Sequence, residues 1–274
     1  MQTSYTREQL ATIANNIRID IIEETHAAKS GHPGGSLSIA EIMTYLYFVH
    51  MNIDPQNPAW EDRDRLVLSK GHAAPVLYAA LAERGYFPRE DLITLRKIDS
   101  HLQGHPSMKN TPGVDMTTGS LGQGISAACG MALAAKIAGK NYRTYTIVGD
   151  GESQEGQVWE ACMFAAHRKL DNLCIILDWN GLQIDGDITE VMNPTPYAEK
   201  FEAFGFHVIS IDAHDFDQIE SALKEADATK GQPTVIIARS VKGKGVSFME
   251  NKASWHGSAP NDAQYEQALS ELKK

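Results

Sequence analysis

The chain has 274 residues, 42% hydrophobic and 22% charged, so it can bury a full core as one large domain or two small ones. Its net charge of −10 argues against a nucleic-acid-binding surface, which is normally basic, although a local basic pocket for phosphate stays open. The three cysteines form no CxxC pair and lie in apolar segments, which is typical of free thiols in a reducing compartment. The N-terminal segment has no signal-peptide cleavage site and no continuous apolar core. The sequence therefore predicts a cytoplasmic protein without a membrane span.

Helical periodicity dominates the beginning of the chain. Apolar residues at helical spacing over residues 6–28 predict a first helix, which the SGHPGG segment ends. Ser38, with Glu41 three residues later, has the pattern of a cap for a second helix. The next predicted elements are strand RLVLS, helix AAPVLYAALAERG and helix FPREDLITLRK. Residues 99–120 show no periodicity, and ordered loops of that length are uncommon unless they are functional.

Strands and helices alternate in the rest of the chain. The predicted elements are helix GQGISAACGMALAAKIAG, strand RTYTIVG, helix GQVWEACMFAAHRKL, strand LCIILDW, a helix near PYAEKFEAFG, strand HVISID, helix FDQIESALKEA and strand TVIIARS. This alternation predicts an α/β fold, a doubly wound and mostly parallel central sheet flanked by helices. No repeat, low-complexity tract or linker divides the sequence, so we expect a single domain over residues 1–274.

Two polar phrases end neighbouring predicted strands. Gly149-Asp150-Gly151 follows the apolar run TYTIV, and Asn180 follows CIILDW, with a helix-length segment between them. A strand, a crossover helix and a parallel strand place Asp150 and Asn180 together at the carboxyl edge of the sheet, where ligands bind. A carboxylate, an amide oxygen and turn carbonyls suit Mg²⁺ or Ca²⁺. The alternative is a pair of surface turns that merely share Asp, Asn and Gly.

A glycine-rich segment, Thr118 to Gly124, precedes a predicted helix. Its N–H groups and the helix N-terminus could hold an anion such as a diphosphate, or the glycines could serve only tight packing. The segment is neither a Walker sequence nor the dinucleotide fingerprint, which disfavours a kinase or an NAD-dependent enzyme.

Four glycine-flanked histidines lie in turn-like segments: His32, His72, His105 and His256. Such loops can present imidazoles to a ligand, and imidazole exchanges protons near neutral pH. Any one of them taken alone is more often an ordinary surface or core histidine, whereas the four together suggest a site. A zinc site is the competing functional interpretation, but zinc ligands usually come in close pairs and these histidines are far apart in sequence.

Four charged residues near these motifs have open roles. Glu155 and Glu160 follow the Asp150 turn, about a turn and a half apart on the next helix, where they could simply complement the helix dipole. Lys242 and Lys244 could meet phosphate or cover a loop.

Taken together, these phrases resemble the N-terminal half of transketolase, a thiamine diphosphate enzyme. The matching segments follow the family order across residues 30–257; they are SGHPGG, SKGHAAP, GHP with PGVDMTTGSLGQG, GDGESQEGQVWEA, DWNGLQIDG, VKGKGVSF and SWHG. The related enzyme that makes deoxyxylulose phosphate shares the GDG-to-Asn arrangement. Its loop before the glycine-rich helix differs, so TTGSLGQG after GHP favours transketolase.

The resemblance implies a role for each matching residue. The side chains of Asp150 and Asn180, with the Leu182 carbonyl, would hold Mg²⁺ or Ca²⁺ against the cofactor diphosphate. Three catalytic histidines would face the sugar hydroxyls and move protons; they are His32, His105 and His256. The implied cofactor-binding residues are His72, Gly119, Ser120, Leu121, Gly151, Glu155, Glu160, Asn180, Ile184 and His256. Among them, Ile184 would pack near the thiazolium ring, and Glu155 and Glu160 would join a carboxylate network toward the activating glutamate.

Two features depart from the family pattern. Ser120 stands where the family usually has proline, and the sequence ends at Lys274, before the pyrimidine-binding and C-terminal domains. We therefore expect one component of a split transketolase. It would be active only with a separate C-terminal subunit, in an assembly that contains two copies of each chain.

The implied reaction is the transfer of a two-carbon ketol unit from a ketose to an aldose, as sugars or sugar phosphates of the pentose phosphate pathway. One alternative is a related enzyme for an unusual ketose, sulfonated or branched. Another is a non-catalytic homologue that binds thiamine diphosphate or only a partner protein.

Overall fold

The computed structural model describes residues 5–273. Its strands are β1 (Arg65–Leu68), β2 (Thr144–Gly149), β3 (Leu173–Trp179), β4 (Leu182–Gln183), β5 (Gly186–Asp187), β6 (His207–Asp212) and β7 (Thr234–Arg239). Five of them form a parallel sheet in the order β1-β2-β3-β7-β6, and β4 and β5 form a separate antiparallel hairpin. The five sheet strands coincide with the five predicted strands.

Helices surround the sheet. The α-helices of the described residues are α1 (Arg7–Ala28), α2 (Pro33–Leu37), α3 (Ala40–Tyr45), α4 (Ala74–Arg84), α5 (Gln123–Ala138), α6 (Gly156–His167), α7 (Ile188–Met192), α8 (Tyr197–Ala203), α9 (Phe216–Ala228) and α10 (Asp262–Leu272). Short 3₁₀ helices occur at Gly71–Ala73, Arg89–Thr94, Glu152–Gln154 and Ala253–Trp255, and a π-helical turn spans Leu46–His50.

Alternate residues of the central strands pack on opposite faces of the sheet. On β3, Cys174 and Ile176 belong to the core formed with α1, α3, α4 and α9. Leu173, Ile175 and Leu177 belong to the core formed with α5, α6 and α8. A parallel sheet that is buried on both faces needs apolar residues on both, which explains its continuous hydrophobic runs. This arrangement confirms the predicted doubly wound α/β fold.

Two local predictions are wrong. Ser38 is not the N-cap of the second predicted helix: it is the C-cap residue of α2, which starts at Pro33, and Ile39 occupies the N-cap position of α3. The Ser38 hydroxyl donates instead to Asp178 at 2.8 Å. The segment FPREDLITLRK contains the 3₁₀ helix Arg89–Thr94 and no α-helix. Helices α2, α7 and α10 and the β4–β5 hairpin were not predicted.

The three cysteines are buried and free, as the sequence predicted; they are Cys129, Cys162 and Cys174. Burial raises the pKa of all three thiols, so they stay protonated at neutral pH. Within residues 5–273, no helix combines the length and the hydrophobicity that a membrane crossing requires.

A buried ionic cluster joins α1, α3 and the loop between β6 and α9. Glu41 accepts two hydrogen bonds from Nη2 of Arg18, at 2.5 and 2.6 Å, and its Oε2 lies 3.1 Å from Nδ1 of His214. Burial disfavours the carboxylate, but the hydrogen bond with His214 and the charge of Arg18 outweigh burial and lower the pKa of Glu41 to about 2.

This cluster predicts a pH dependence of stability. The pKa of Glu41 is lower in the folded chain than the 4.5 of an exposed glutamate, so its contribution is fully present above pH 4.5 and is lost as pH falls toward 2. The full contribution is roughly 3 kcal/mol. Urea denaturation at several pH values should show that Glu41→Gln makes the free energy of unfolding less dependent on pH between pH 4.5 and pH 2. The exposed control Glu61→Gln should keep the wild-type slope, and an unchanged slope in Glu41→Gln would contradict the assignment.

Candidate functional site

A cavity of about 310 Å³ lies at the carboxyl edge of the sheet, where β2 and β3 end. Its volume is in the range of small-ligand sites. Nine of the residues predicted from the sequence, all within the described range, line it: His72, Leu121, Asp150, Gly151, Glu155, Asn180, Leu182, Ile184 and His256. The edge of the sheet predicted to bind a ligand is therefore the edge that carries the cavity.

Asp150 and Asn180 lie on adjacent turns, because β2 and β3 are hydrogen-bonded neighbours that end in register. Oδ1 of Asp150 accepts the N–H of Gly151 at 2.8 Å, and Oδ2 accepts the N–H of Gly181 at 2.6 Å. Oδ1 of Asn180 accepts the N–H of Leu182 at 3.1 Å. The two turns are thus linked through the Asp150 carboxylate.

A positive charge already faces this group of oxygens. Lys242 is 2% exposed, donates from Nζ to the Leu182 carbonyl at 3.0 Å and lies 3.1 Å from Nδ1 of His256. Burial, and then the negative charge of Asp178, raises the pKa of Asp150. The site therefore disfavours an uncompensated carboxylate, and a cation bound beside it would offset its charge. One carboxylate, one amide oxygen and one carbonyl fit a hard divalent cation.

Three of the four glycine-flanked imidazoles form one cluster, in which His72 and His256 line the cavity and His32 packs against them outside its lining. The ring centroids of His32 and His72 are 5.3 Å apart, those of His32 and His256 are 5.5 Å apart, and those of His72 and His256 are 4.9 Å apart. Burial, and then neighbouring positive charge, lowers the pKa of His32 to about 4 and that of His256 to about 3. The pKa of His72 falls well below its usual value for the same reasons.

These imidazoles are neutral near pH 7 and can accept a proton or a hydrogen bond. Nδ1 of His32 is buried and has no hydrogen-bond partner among the described residues. No group of three or more His, Cys, Asp or Glu side chains within residues 5–273 is placed to hold a metal ion. The zinc interpretation of the histidines therefore has no ligand set in that range.

His105 is exposed on the long loop and lies outside the cavity lining. A Cβ on Gly119, whose φ is +138°, would lie 2.8 Å from Cγ of His105, so this close approach needs glycine. The hydroxyl of Tyr78 donates to the carbonyls of Gln103 and His105 at 2.8 and 3.1 Å and holds the loop in place. Partial burial of its ring, and then the charge of Arg96, lowers the pKa of His105.

The glycine-rich segment packs tightly against the end of β1. A Cβ on Gly71 would lie 2.6 Å from the backbone nitrogen of Gly119, and one on Gly124 would lie 2.7 Å from Oγ of Ser69. These contacts support the packing interpretation. Of the three residues of this segment that were predicted to bind a diphosphate, Leu121 lines the cavity, whereas Gly119 and Ser120 lie outside its lining.

Glu152 is a site residue that the sequence reasoning missed. Its carboxylate is 2% exposed and accepts the Ser69 hydroxyl at 2.5 Å, the Gly122 N–H at 2.9 Å and the Gly149 N–H at 3.0 Å. It thereby joins the first residues of α5 to the ends of β1 and β2. Its position directly after Gly149-Asp150-Gly151 was the available sequence clue. Lys70, also in the cavity wall, was missed as well.

We expect Gly124→Ala to destabilise the fold by about 1–3 kcal/mol, because the new methyl group would overlap Ser69. Gly130→Ala is the matched control on the same helix, since a Cβ there meets nothing within 4 Å. That control should be neutral or stabilising by up to about 1 kcal/mol. Urea denaturation measures both, and equal stabilities of the two variants would contradict the tight packing.

The remaining predicted residues are dispersed. Glu155 is the N-cap residue of α6 and lines the cavity, whereas Glu160 is exposed on α6 outside the lining. Ile184, on the turn between β4 and β5, lines the cavity and is 64% exposed. Lys242 is part of the cavity wall, but Lys244 is not. The structure therefore shows which member of each charged pair lines the cavity: Glu155 rather than Glu160, and Lys242 rather than Lys244. Sequence spacing could not distinguish them.

Comparison with known proteins gives a consistent result. Residues 9–272 match the transketolase, thiamine diphosphate-binding domain family. Over 261 residues the chain is 51% identical to the 6-deoxy-6-sulfo-D-fructose transketolase subunit SqwG of Clostridium sp. (strain MSTE9), covering 95% of each chain. Over 267 residues it is 40% identical to one of the subunits of the apulose-4-phosphate transketolase of Phocaeicola vulgatus, covering 97% of this chain and 95% of that one.

A solved structure of transketolase from Campylobacter jejuni superposes with a TM-score of 0.93 at 36% identity. The match covers 98% of this chain and 43% of that one. The chain therefore spans less than half the length of this relative and almost the full length of the two subunits.

Proposed function

Because this chain belongs to the transketolase family, we propose that it is the thiamine diphosphate-binding subunit of a two-component transketolase. With a separate C-terminal subunit it transfers a two-carbon ketol unit from a ketose, or its phosphate, to an aldose or aldose phosphate. The convergence of Asp150, Asn180 and neutral imidazoles in one cavity carries this proposal. Two relatives of matching length that are named as transketolase subunits support the split arrangement.

Asp150, Asn180 and the Leu182 carbonyl would hold Mg²⁺, or Ca²⁺, against the diphosphate of the cofactor. Lys242, buried beside the same carbonyl, would then contribute its charge to the diphosphate. Gly151 would present its backbone to that group, and a Cβ at this position would lie 3.1 Å from Cβ of Gln183. When bound, thiamine diphosphate supplies the carbanion chemistry that carries the two-carbon unit.

The histidines of this chain would handle protons at the sugar. The neutral rings of His32 and His256 would accept hydrogen bonds from sugar hydroxyls, take up a proton as the carbon–carbon bond breaks and return it when the new bond forms. His105, on the exposed loop, would contact the hydroxyls at the entrance. Glu155 at the cavity wall and Glu160 on the exposed face of α6 would extend a carboxylate network toward the partner subunit.

The proposed assembly contains two copies of this chain and two of the partner, and it works in the cytoplasm. Three buried reduced thiols are compatible with that compartment.

Ketol transfer measured with and without the partner tests the proposal. We expect the mixture of both chains, with thiamine diphosphate and MgCl₂, to form the transferred ketose, and this chain alone to form none above background. Robust transfer by the isolated chain would overturn the split arrangement. Binding of the cofactor without transfer by the mixture from any donor would instead favour the non-catalytic homologue.

A second candidate is ketol transfer from an unusual ketose. The relative named for 6-deoxy-6-sulfo-D-fructose shares 51% identity with this chain over matching lengths, and another relative of matching length is named for apulose 4-phosphate. Product analysis of the mixture with the sulfonated ketose, apulose 4-phosphate and fructose 6-phosphate as donors separates these cases. Preference for either unusual donor by kcat/KM would favour the second candidate, and preference for fructose 6-phosphate would exclude it.

A further inference from the structure

Asp178, the penultimate residue of β3, is a fully buried carboxylate that lies behind two residues of the cavity wall, Lys70 and Asn180. Its Oδ2 accepts hydrogen bonds from Nζ of Lys70 at 2.6 Å, from the Ser38 hydroxyl at 2.8 Å and from Nδ2 of Asn180 at 3.0 Å. Its Oδ1 accepts the hydroxyl of Ser240. These donors come from four separate segments of the chain, and all of them bond to the carboxylate of Asp178.

The hydrogen bond to Asn180 decides which way that amide faces. A carboxylate paired with the Lys70 ammonium only accepts hydrogen bonds, so the atom that Asn180 presents to it must be the NH₂ group. The amide oxygen then points to the opposite side, where it accepts the N–H of Leu182. A flipped amide would place its oxygen against the Asp178 carboxylate and its NH₂ group against a bound cation. Both contacts would be repulsive.

We propose that Asp178, held by Lys70, is a positioning residue that keeps the Asn180 amide oxygen directed at the cation. This inference rests on the proposed function, because it assumes that Asn180 is a ligand of Mg²⁺ or Ca²⁺. Outer hydrogen-bond partners of this kind fix the orientation of metal ligands. The competing interpretation is that the buried ion pair only holds Ser38, Lys70 and Ser240 together within the fold.

Lys70 is held in place by burial and by a second hydrogen bond. It is 1% exposed, and its Nζ also donates to the carbonyl of Gly35 at 2.6 Å. The pair therefore links α2, the end of β1 and the end of β3. A rigidly held Asp178 leaves the Asn180 side chain little freedom before the cation arrives.

The test is a double-mutant cycle on the assembled enzyme, with MgCl₂ titrated in the presence of thiamine diphosphate and binding followed by tryptophan fluorescence. We expect Asp178→Asn to weaken the Mg²⁺ affinity about 10–100-fold. In the Asn180→Ala background the same substitution should change the affinity less than about two-fold, since Asp178 acts through Asn180. Additive losses, or an unchanged Mg²⁺ affinity in Asp178→Asn, would overturn the inference.

Asp178→Asn leaves Lys70 without its charge partner, which can unfold the chain. The paired variant Lys70→Met with Asp178→Leu avoids this, because replacing a whole buried ion pair by apolar residues is often neutral for stability. This folded variant should show the same loss of Mg²⁺ affinity, and a wild-type affinity would overturn the inference.

Asp64→Asn is the matched control. Asp64 is also a buried carboxylate, accepts the backbone N–H groups of Asn52 and Arg143, and lies at the opposite edge of the sheet. The Asp64→Asn substitution should lower the melting temperature and leave the Mg²⁺ affinity unchanged. If the wild-type enzyme transfers ketol units without any response to Mg²⁺ or Ca²⁺, the positioning role is excluded and the proposed function is retained. If the enzyme neither binds thiamine diphosphate nor transfers ketol units, both the positioning role and the proposed function are excluded.

Discussion

Asp150→Ala should weaken the magnesium-dependent binding of thiamine diphosphate by roughly 100-fold or more, and ketol transfer should fall with it. Asp150 supplies the one charged oxygen ligand among the three groups that we propose for the cation. Its carboxylate also accepts the N–H groups of Gly151 and Gly181, so its removal should loosen the two turns of the proposed cation site. Titration of MgCl₂ and of the cofactor into the assembled enzyme measures the effect.

Asp185→Asn is the control for the loss of one negative charge near the cavity. Asp185 is exposed on the turn between β4 and β5 and lies outside the cavity lining. We expect it to keep the wild-type affinities for both the metal and the cofactor. If Asp150→Ala retained these affinities as well, the metal site would have to be sought elsewhere in the cavity.

His32→Ala should reduce kcat/KM for ketol transfer by about 10²–10⁴-fold, which is the range for the loss of a general acid or base. Its effect on cofactor binding should be small, because the three proposed metal ligands do not include it. The Nδ1 atom of this ring has no hydrogen-bond partner among the described residues, and the ring packs against His72 and His256, which line the cavity. Steady-state kinetics together with cofactor titration separate the two effects.

The low pKa of His32 also gives a pH prediction. The imidazole accepts protons only when neutral, and its pKa of about 4 means that it remains neutral as pH falls through 6.5. The loss of kcat/KM that is due to this ring should therefore appear near pH 4. His26→Ala is the control variant, since His26 lies on the surface beside Tyr265 and Asp262. A His32→Ala enzyme with wild-type kcat/KM would exclude the proton-transfer role.

The close approach of the Asp150 and Asn180 turns was predictable because it depends on local order. Asp150 and Asn180 each directly follow an apolar strand, and one crossover helix separates the two strands in sequence. A right-handed crossover then places both at the same edge of the sheet. The same reasoning did not reach Glu152, Lys70 and Asp178. Each is a single polar residue without periodicity, and its role depends on partners that lie in distant segments.

Local patterns misled where a tertiary contact or backbone geometry competed with them. The cap pattern of Ser38 and Glu41 is not used as a cap, because both side chains bond to distant residues, Asp178 and Arg18. The segment around Arg89–Thr94 has helix-forming residues but makes only a 3₁₀ helix before the long loop. Propensity is a weak preference that such contacts readily override.

By itself, the sequence determined the strand and helix alternation, the parallel sheet and the edge that carries the site, because hydrophobic periodicity and chain order are local properties. Only the tertiary structure decided that His32, His72 and His256 meet, that Lys242 is buried in the cavity wall and that Glu160 is exposed. It also decided the protonation of the cluster, because burial and neighbouring charges set those pKa values. These properties depend on loops that are distant in sequence and come together only when the sheet is packed.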